Sequence, residues 1–154
     1  MIIKRTTSEN PDFIKLVIDL DAYLKITDEE EHDFYNQFNS IELLQEVVVI
    51  YASKLNNLLP VAVGCGALKK LDSTTVELKR MYVSPQYRGK GYAQKVIKEL
   101  EIWARKLGYK RCILETGKRQ IEAVKFYHNC GYSVIENYGQ YKEMANSICF
   151  QKTL

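Results

Sequence analysis

The chain has 154 residues, 46% of them hydrophobic and 27% charged, with a formal net charge of +3. That length and balance describe a single domain, residues 1–154, able to bury a core of its own. No stretch has the length of a membrane-spanning helix, and MIIKRTTSENPDF lacks the apolar run and cleavage site of a secretory signal; a cytoplasmic protein with no membrane partner is expected.

MIIKRTT reads as a short first strand, followed by Ser8 or Asn10 as a helix cap with Pro11 at the first helical position. Phe13, Leu16, Val17, Leu20, Tyr23 and Leu24 recur at helical spacing and predict an amphipathic helix ending near Thr27. DEEEHDFYNQFNSIELLQ should form a second, shorter helical or irregular segment. EVVVIYASKL and PVAVGCGALKKL are β-branched runs joined by a turn at NNLLP, and TTVELKRMYV makes a third strand, most simply antiparallel.

Apolar positions from Ala93 through Val96, Ile97, Leu100, Ile102, Trp103 and Ala104 to Leu107 predict a helix stopped at Gly108. YKRCILET is a strand, and QIEAVKFYHNCGY a helix with Ile121, Val124 and Phe126 or Tyr127 inward and Gly131 as its stop. SVIENYG and NSICFQKTL close the chain as strands. The order predicts a mixed α/β (α+β) layer around a central sheet.

Cys65, Cys112, Cys130 and Cys149 are far apart without Cys-x-x-Cys spacing, and His32 and His128 lack paired ligand spacing; buried free thiols and no metal are expected. Charge is uneven along the chain. Lys79 to Arg119 holds twelve Lys or Arg against three Glu, which suits a nucleic acid, a membrane or a phosphorylated ligand, or else solvated helix faces. These cations surround a glycine loop and helix faces, without interleaved exposed aromatics or a groove-reading element, so no nucleic-acid partner is expected.

The glycine loop is QYRGKGYA, between strand and helix. A helix N-terminus presents unpaired N–H groups and partial positive charge, which suits phosphate. Gly89 and Gly91 leave the backbone open to an oxyanion, while Arg88 and Lys90 add charge. A P-loop would need Lys-Ser/Thr after its last glycine, where Tyr92 stands, and a dinucleotide fingerprint a third glycine at Gln94.

Gln86-Tyr87-Arg88-Gly89-Lys90-Gly91 does fit the pattern Gln/Arg-x-x-Gly-x-Gly/Ala. With LKRMYVSPQYRGKGYAQKVI around it and EAVKFYHNCGY downstream, the chain resembles the GNAT superfamily of acetyl-CoA-dependent N-acetyltransferases, closely over residues 45–135. The resemblance implies a mostly antiparallel sheet of six to seven strands flanked by about four helices. It also implies acetyl-CoA as co-substrate, with Met81, Tyr82 and Val83 along its pantetheine arm and the N–H groups of Arg88, Gly89, Lys90, Gly91, Tyr92 and Ala93 on its pyrophosphate. Gln120 stands where members often carry Asn, which puts its pantetheine hydrogen bond in doubt. Many members are dimers, so a homodimer is among the implied states.

The implied chemistry is direct attack of a neutral amine on the thioester, which requires a route for the ammonium proton, oxyanion stabilisation and an acid for the thiolate. Tyr127 occupies the family's acid position; as an arbitrary tyrosine it would be a buried aromatic. Glu77 stands in the register of the general base of histone-type members, and alternation sets Glu77, Lys79, Met81 and Val83 on one face. A carboxylate paired with Lys79 or Arg80 is the structural alternative. For the acceptor, the acidic and tyrosine-rich segments suit an amine-bearing small molecule or peptide, with Tyr23, His32, Tyr35, Glu115 and Tyr138 as candidate liners. A catalytically silent acetyl-CoA-binding regulatory module is the competing function.

Overall fold

The computed structural model describes residues 1–28, 44–54 and 57–154. Its strands are β1 (Ile2–Thr6), β2 (Glu46–Lys54), β3 (Asn57–Lys70), β4 (Thr75–Val83), β5 (Arg111–Gly117), β6 (Ser133–Ile135) and β7 (Ser147–Thr153). The described helices are α1 (Pro11–Asp28), α2 (Tyr92–Lys106) and α3 (Ile121–Asn129), with single 3-10 turns at Pro85–Tyr87 and Gly139–Tyr141. All seven strands join one sheet in the order β1-β2-β3-β4-β5-β7-β6. Every pairing is antiparallel except β4 with β5. The segment expected to form a second helix after Asp28 lies almost wholly outside the described residues, and three helices are seen among the others.

Covered faces explain the composition of the central strands. Val47, Val48, Val49 and Ile50 are all fully buried, so β2 reads as an unbroken apolar run. On one face α1 lays Phe13, Leu16, Val17 and Leu20 against Val47, Val49, Cys65 and Ala67. On the other, α2 packs Val96, Ile97, Leu100 and Ala104 against Val48, Ile50, Val76 and Leu78. Asn10 is the α1 cap, its Oδ1 accepting from the N–H groups of Asp12 at 2.9 Å and Phe13 at 3.1 Å.

Three local expectations are corrected. Lys54 pairs with Asn57, so Asn57 to Pro60 belong to β3 and the turn is shorter than NNLLP. Ile121 is 64% exposed rather than inward, because it lies at the mouth of a cleft described below. The regular alternation expected along β4 is broken. Cys65 faces Tyr82 and Ala67 faces Lys79, so Gly66 alone opposes both Arg80 and Met81, and Arg80 takes φ 58°. This is a β-bulge.

Candidate active site

The bulge determines which side chains share a face. Glu77 alternates with Val76 and Leu78, which belong to the α2-side core, and across the bulge Met81 rejoins that core while Tyr82 packs on the α1 side. Met81 therefore lies on the face opposite to Glu77 and Lys79, which corrects the expectation of one shared face. Arg80 turns toward α1, where Nη1 donates to Asp21 Oδ1 at 2.6 Å. Its carbonyl accepts from the Cys65 thiol at 3.4 Å.

Beyond the bulge the sheet opens. β4 pairs with β5 only from Thr75–Arg111 to Glu77–Ile113, while β5 continues along β7 as far as Gly117–Ser147. The outer half of β4 and the end of β5 diverge, leaving a strand edge free to take another extended chain. Two connected cavities occupy the opening. The larger, about 450 Å³, runs between β4, the glycine loop and α3, lined by Met81, Tyr82, Val83, Arg88, Gly89 and Ala93 on one wall and Gln120, Ala123, Phe126 and Tyr127 on the other. The smaller, about 120 Å³, lies across the gap and is lined by Glu77, Lys79, Glu115, Thr116, Gln120, Tyr127 and Tyr141 among others. Tyr127 and Gln120 line both.

The glycine loop leaves its backbone open. Gly89 and Gly91 have φ of 73° and 84°, and a Cβ at either would meet no atom within 4 Å, so glycine is required by backbone conformation and open space lies in front of the loop. Gly91 caps α2 without any side-chain hydrogen bond, leaving the first turn's amides for a ligand. Arg88 departs from the expected pattern. Its own N–H is engaged by the Pro85 carbonyl at 3.2 Å, its Nε donates to the Val83 carbonyl at 2.8 Å, and its guanidinium lies 5.3 Å from the Tyr23 ring and 5.5 Å from that of Tyr82. Arg88 thus ties the loop to β4 and α1, and one Val83 carbonyl lone pair is already used. Tyr23 reaches the cleft through this stack rather than the smaller cavity.

Tyr127 is packed between Phe126, Tyr132 and Phe150, with ring centroids 5.2, 6.0 and 5.9 Å away. Burial pushes its phenol well above the ordinary range, so it stays protonated at neutral pH. No hydrogen-bond partner meets its hydroxyl among the described residues.

Glu77 is buried at 2% exposure. Its Oε2 accepts from the Tyr138 hydroxyl, and its Oε1 is 3.8 Å from Lys79 Nζ. Tyr138 therefore supports Glu77 and is not among the residues lining the smaller cavity. Burial and the neighbouring Glu77 carboxylate hold the Tyr138 phenol high, hence protonated and donating. Asn137 fixes this loop by donating from Nδ2 to the carbonyls of Tyr141, Met144 and Ser147, each at 3.1 Å. Ser147 Oγ in turn donates to Glu115 Oε2 at 2.7 Å. The 137–147 stretch thus holds both carboxylates of the cavity.

His32 and Tyr35 lie outside the described residues. The bulge at Arg80 was not legible in the sequence, its only trace being the small Gly66 opposite it, whereas Lys79, named there as a possible partner of the Glu77 carboxylate, lies buried 3.8 Å from it.

A model described as the Acetyltransferase (GNAT) family matches residues 15–132. The chain belongs to the GNAT acetyltransferase family. This GNAT chain is 39% identical over 93 residues to YsnE of Bacillus subtilis, an uncharacterized N-acetyltransferase, across 59% of the chain and 62% of YsnE. It spans less than two thirds of the length of the curated relatives it matches. A solved structure from Klebsiella pneumoniae is 27% identical with a TM-score of 0.80, covering 99% of this chain and 97% of the other. A GNAT acetyltransferase from Elizabethkingia anophelis, solved with acetyl-CoA bound, has a TM-score of 0.67 at 18% identity over 99% and 97% of the two chains, a likeness of fold. No described helix is long and apolar enough to cross a membrane.

Proposed function

We propose that this chain transfers an acetyl group from acetyl-CoA to a primary amine by direct attack. One observation carries the reading: a cleft with an anion loop at one end and a carboxylate-lined cavity at the other meets that cavity at Tyr127. The glycine-loop amides and the first turn of α2 suit a pyrophosphate, and the free edge of β4 at Met81 suits the amides of a pantetheine arm. Acetyl-CoA brings the activated acyl group; the chain's residues handle protons and position.

Glu77, buried and oriented by Tyr138, accepts the proton that must leave the acceptor's ammonium before nitrogen can attack. Carbon–nitrogen bond formation and carbon–sulfur cleavage then leave a thiolate, to which Tyr127 gives its proton, and the second proton shed by the attacking nitrogen returns Tyr127 to its neutral phenol. The neutral phenol is on hand because burial prevents its ionisation. Gln120, on both cavities, orients the region where they meet.

The test is release of free thiol from acetyl-CoA with amino acids, polyamines, aminoglycosides and short peptides, alongside calorimetric acetyl-CoA binding. Release with an amine, lost in Glu77→Gln while acetyl-CoA still binds, is the expected result. Binding without release from any amine would replace transfer with the silent regulatory module.

A further inference from the structure

The smaller cavity holds a charge arrangement that acetyl transfer alone does not use. Lys79 is nine-tenths buried, with 8% side-chain exposure, and lines this cavity. Among the described residues its ammonium makes no hydrogen bond; the nearest carboxylate oxygen, Glu77 Oε1, is 3.8 Å away, too far for one. Lys79 Nζ is not sealed off from solvent, so the hydrogen bonds it lacks within the protein are open to a ligand entering the cavity. The other cation on the wall, Arg80, is taken by Asp21. Burial pulls the Lys79 pKa down and Glu77 opposes that fall.

An acceptor carrying only an amine fits this wall poorly. Its ammonium, seated against Glu77, would lie within a few ångströms of the Lys79 ammonium and be repelled by it. A molecule with an anionic group beside its amine relieves that repulsion and supplies the hydrogen bonds Lys79 lacks. One carbon separates amine from carboxylate in an α-amino acid, so its charged ends lie about as close as Glu77 and Lys79 do. The space, about 120 Å³, is roughly ten times the least a single water needs. It suits a compact head group, with Leu20, Leu24 and Leu78 as the apolar part of the wall.

Resting on the acetyl-transfer reading, we infer that the acceptor is a free α-amino acid, its amine at Glu77 and its carboxylate on Lys79. Lys79 is then a specificity residue that touches substrate but takes no part in bond making.

The experiment compares, at saturating acetyl-CoA, thiol release with each amino acid, its amide and its decarboxylated amine. The best amino acid should exceed its two counterparts about 10- to 100-fold in kcat/KM, the loss of one charge-assisted hydrogen bond. Lys79→Met should collapse that preference through a raised KM for the amino acid, with acetyl-CoA affinity unchanged, and Lys79→Arg should retain part of it. Amides or plain amines used as well as the amino acid by the wild type would overturn the assignment while leaving acetyl transfer standing, as would a preference that survives Lys79→Met. Acetyl-CoA binding with no release from any amine class would instead overturn the acetyl-transfer reading, and this inference with it.

Discussion

Tyr127→Phe separates the acid proposed for the thiolate from an aromatic serving only as packing. The ring is held by Phe126, Tyr132 and Phe150, and phenylalanine keeps every one of those contacts. The hydroxyl lost has no protein partner among the described residues, so stability should change by less than about 1 kcal/mol. Turnover should behave differently. A positioned acid is worth about 10²- to 10⁴-fold, or roughly 3–5 kcal/mol of barrier. Thiol release at saturating acetyl-CoA and acceptor reads kcat, calorimetry reads acetyl-CoA affinity, and thermal melting reads the fold. The expected outcome is a large fall in kcat with affinity and melting temperature unmoved. A kcat within about threefold of wild type would remove Tyr127 from the mechanism, and a fall in kcat matched by a fall in melting temperature would return it to packing.

Three further outcomes concern the frame around the site. In Gly66→Ala the new Cβ would run into Met81 Sδ and come within 2.8 Å of Leu100 Cδ1 and 3.0 Å of Val96 Cγ1, so urea unfolding should show a loss of about 1–3 kcal/mol; an unchanged midpoint would mean the bulge at Arg80 is not packed as described. Asn10→Ala removes the acceptor of two α1 amides and should cost about 1 kcal/mol, a fall of roughly 2–4 °C in melting temperature, and no fall would deny Asn10 its capping role. Burial raises the thiols of Cys65 and Cys112 from 9.0 to about 12 and the phenols of Tyr127, Tyr132, Tyr138 and Tyr141 above their ordinary 10.0. In the unfolded chain these groups lose protons first, so their contribution is intact below pH 9 and declines as pH rises through 9 and 10, by up to about 1.4 kcal/mol per pH unit for each group. Melting temperatures from pH 8 to 11 should fall ever more steeply; a flat profile would contradict the burial of these side chains.

Local rules acting on neighbouring residues were enough to write much of this molecule from its sequence. Asn10-Pro11 before Phe13, Leu16, Val17 and Leu20 specifies a capped amphipathic helix. The glycines at 89 and 91 between a strand and a helix specify a loop with positive φ and exposed first-turn amides whatever lies elsewhere, because these are properties of a few consecutive residues. Tyr127 and Glu77, singled out by the family resemblance rather than by local rules, stand on the walls of one cavity.

What the sequence left undecided depends on strands meeting across long separations. Nothing in VELKRMYV announces that Arg80 adopts φ 58°, since the bulge exists only where β4 is laid against Gly66, and a single extra residue moves Met81 to the face opposite Glu77. Arg88 reads as a phosphate ligand in isolation, yet the fold brings Val83, Tyr23 and Tyr82 to it and turns it into a tie. Tyr138 reads as an acceptor contact, and only the return of the 137–147 loop from the far edge of the sheet sets its hydroxyl on Glu77. Lys79 reads in the sequence as a possible partner of Glu77, and only α1 and the opened sheet enclose it beside that carboxylate on the cavity wall. Burial and partnership are sums over distant residues, so the chemistry of a charged side chain is fixed only when the tertiary structure closes around it.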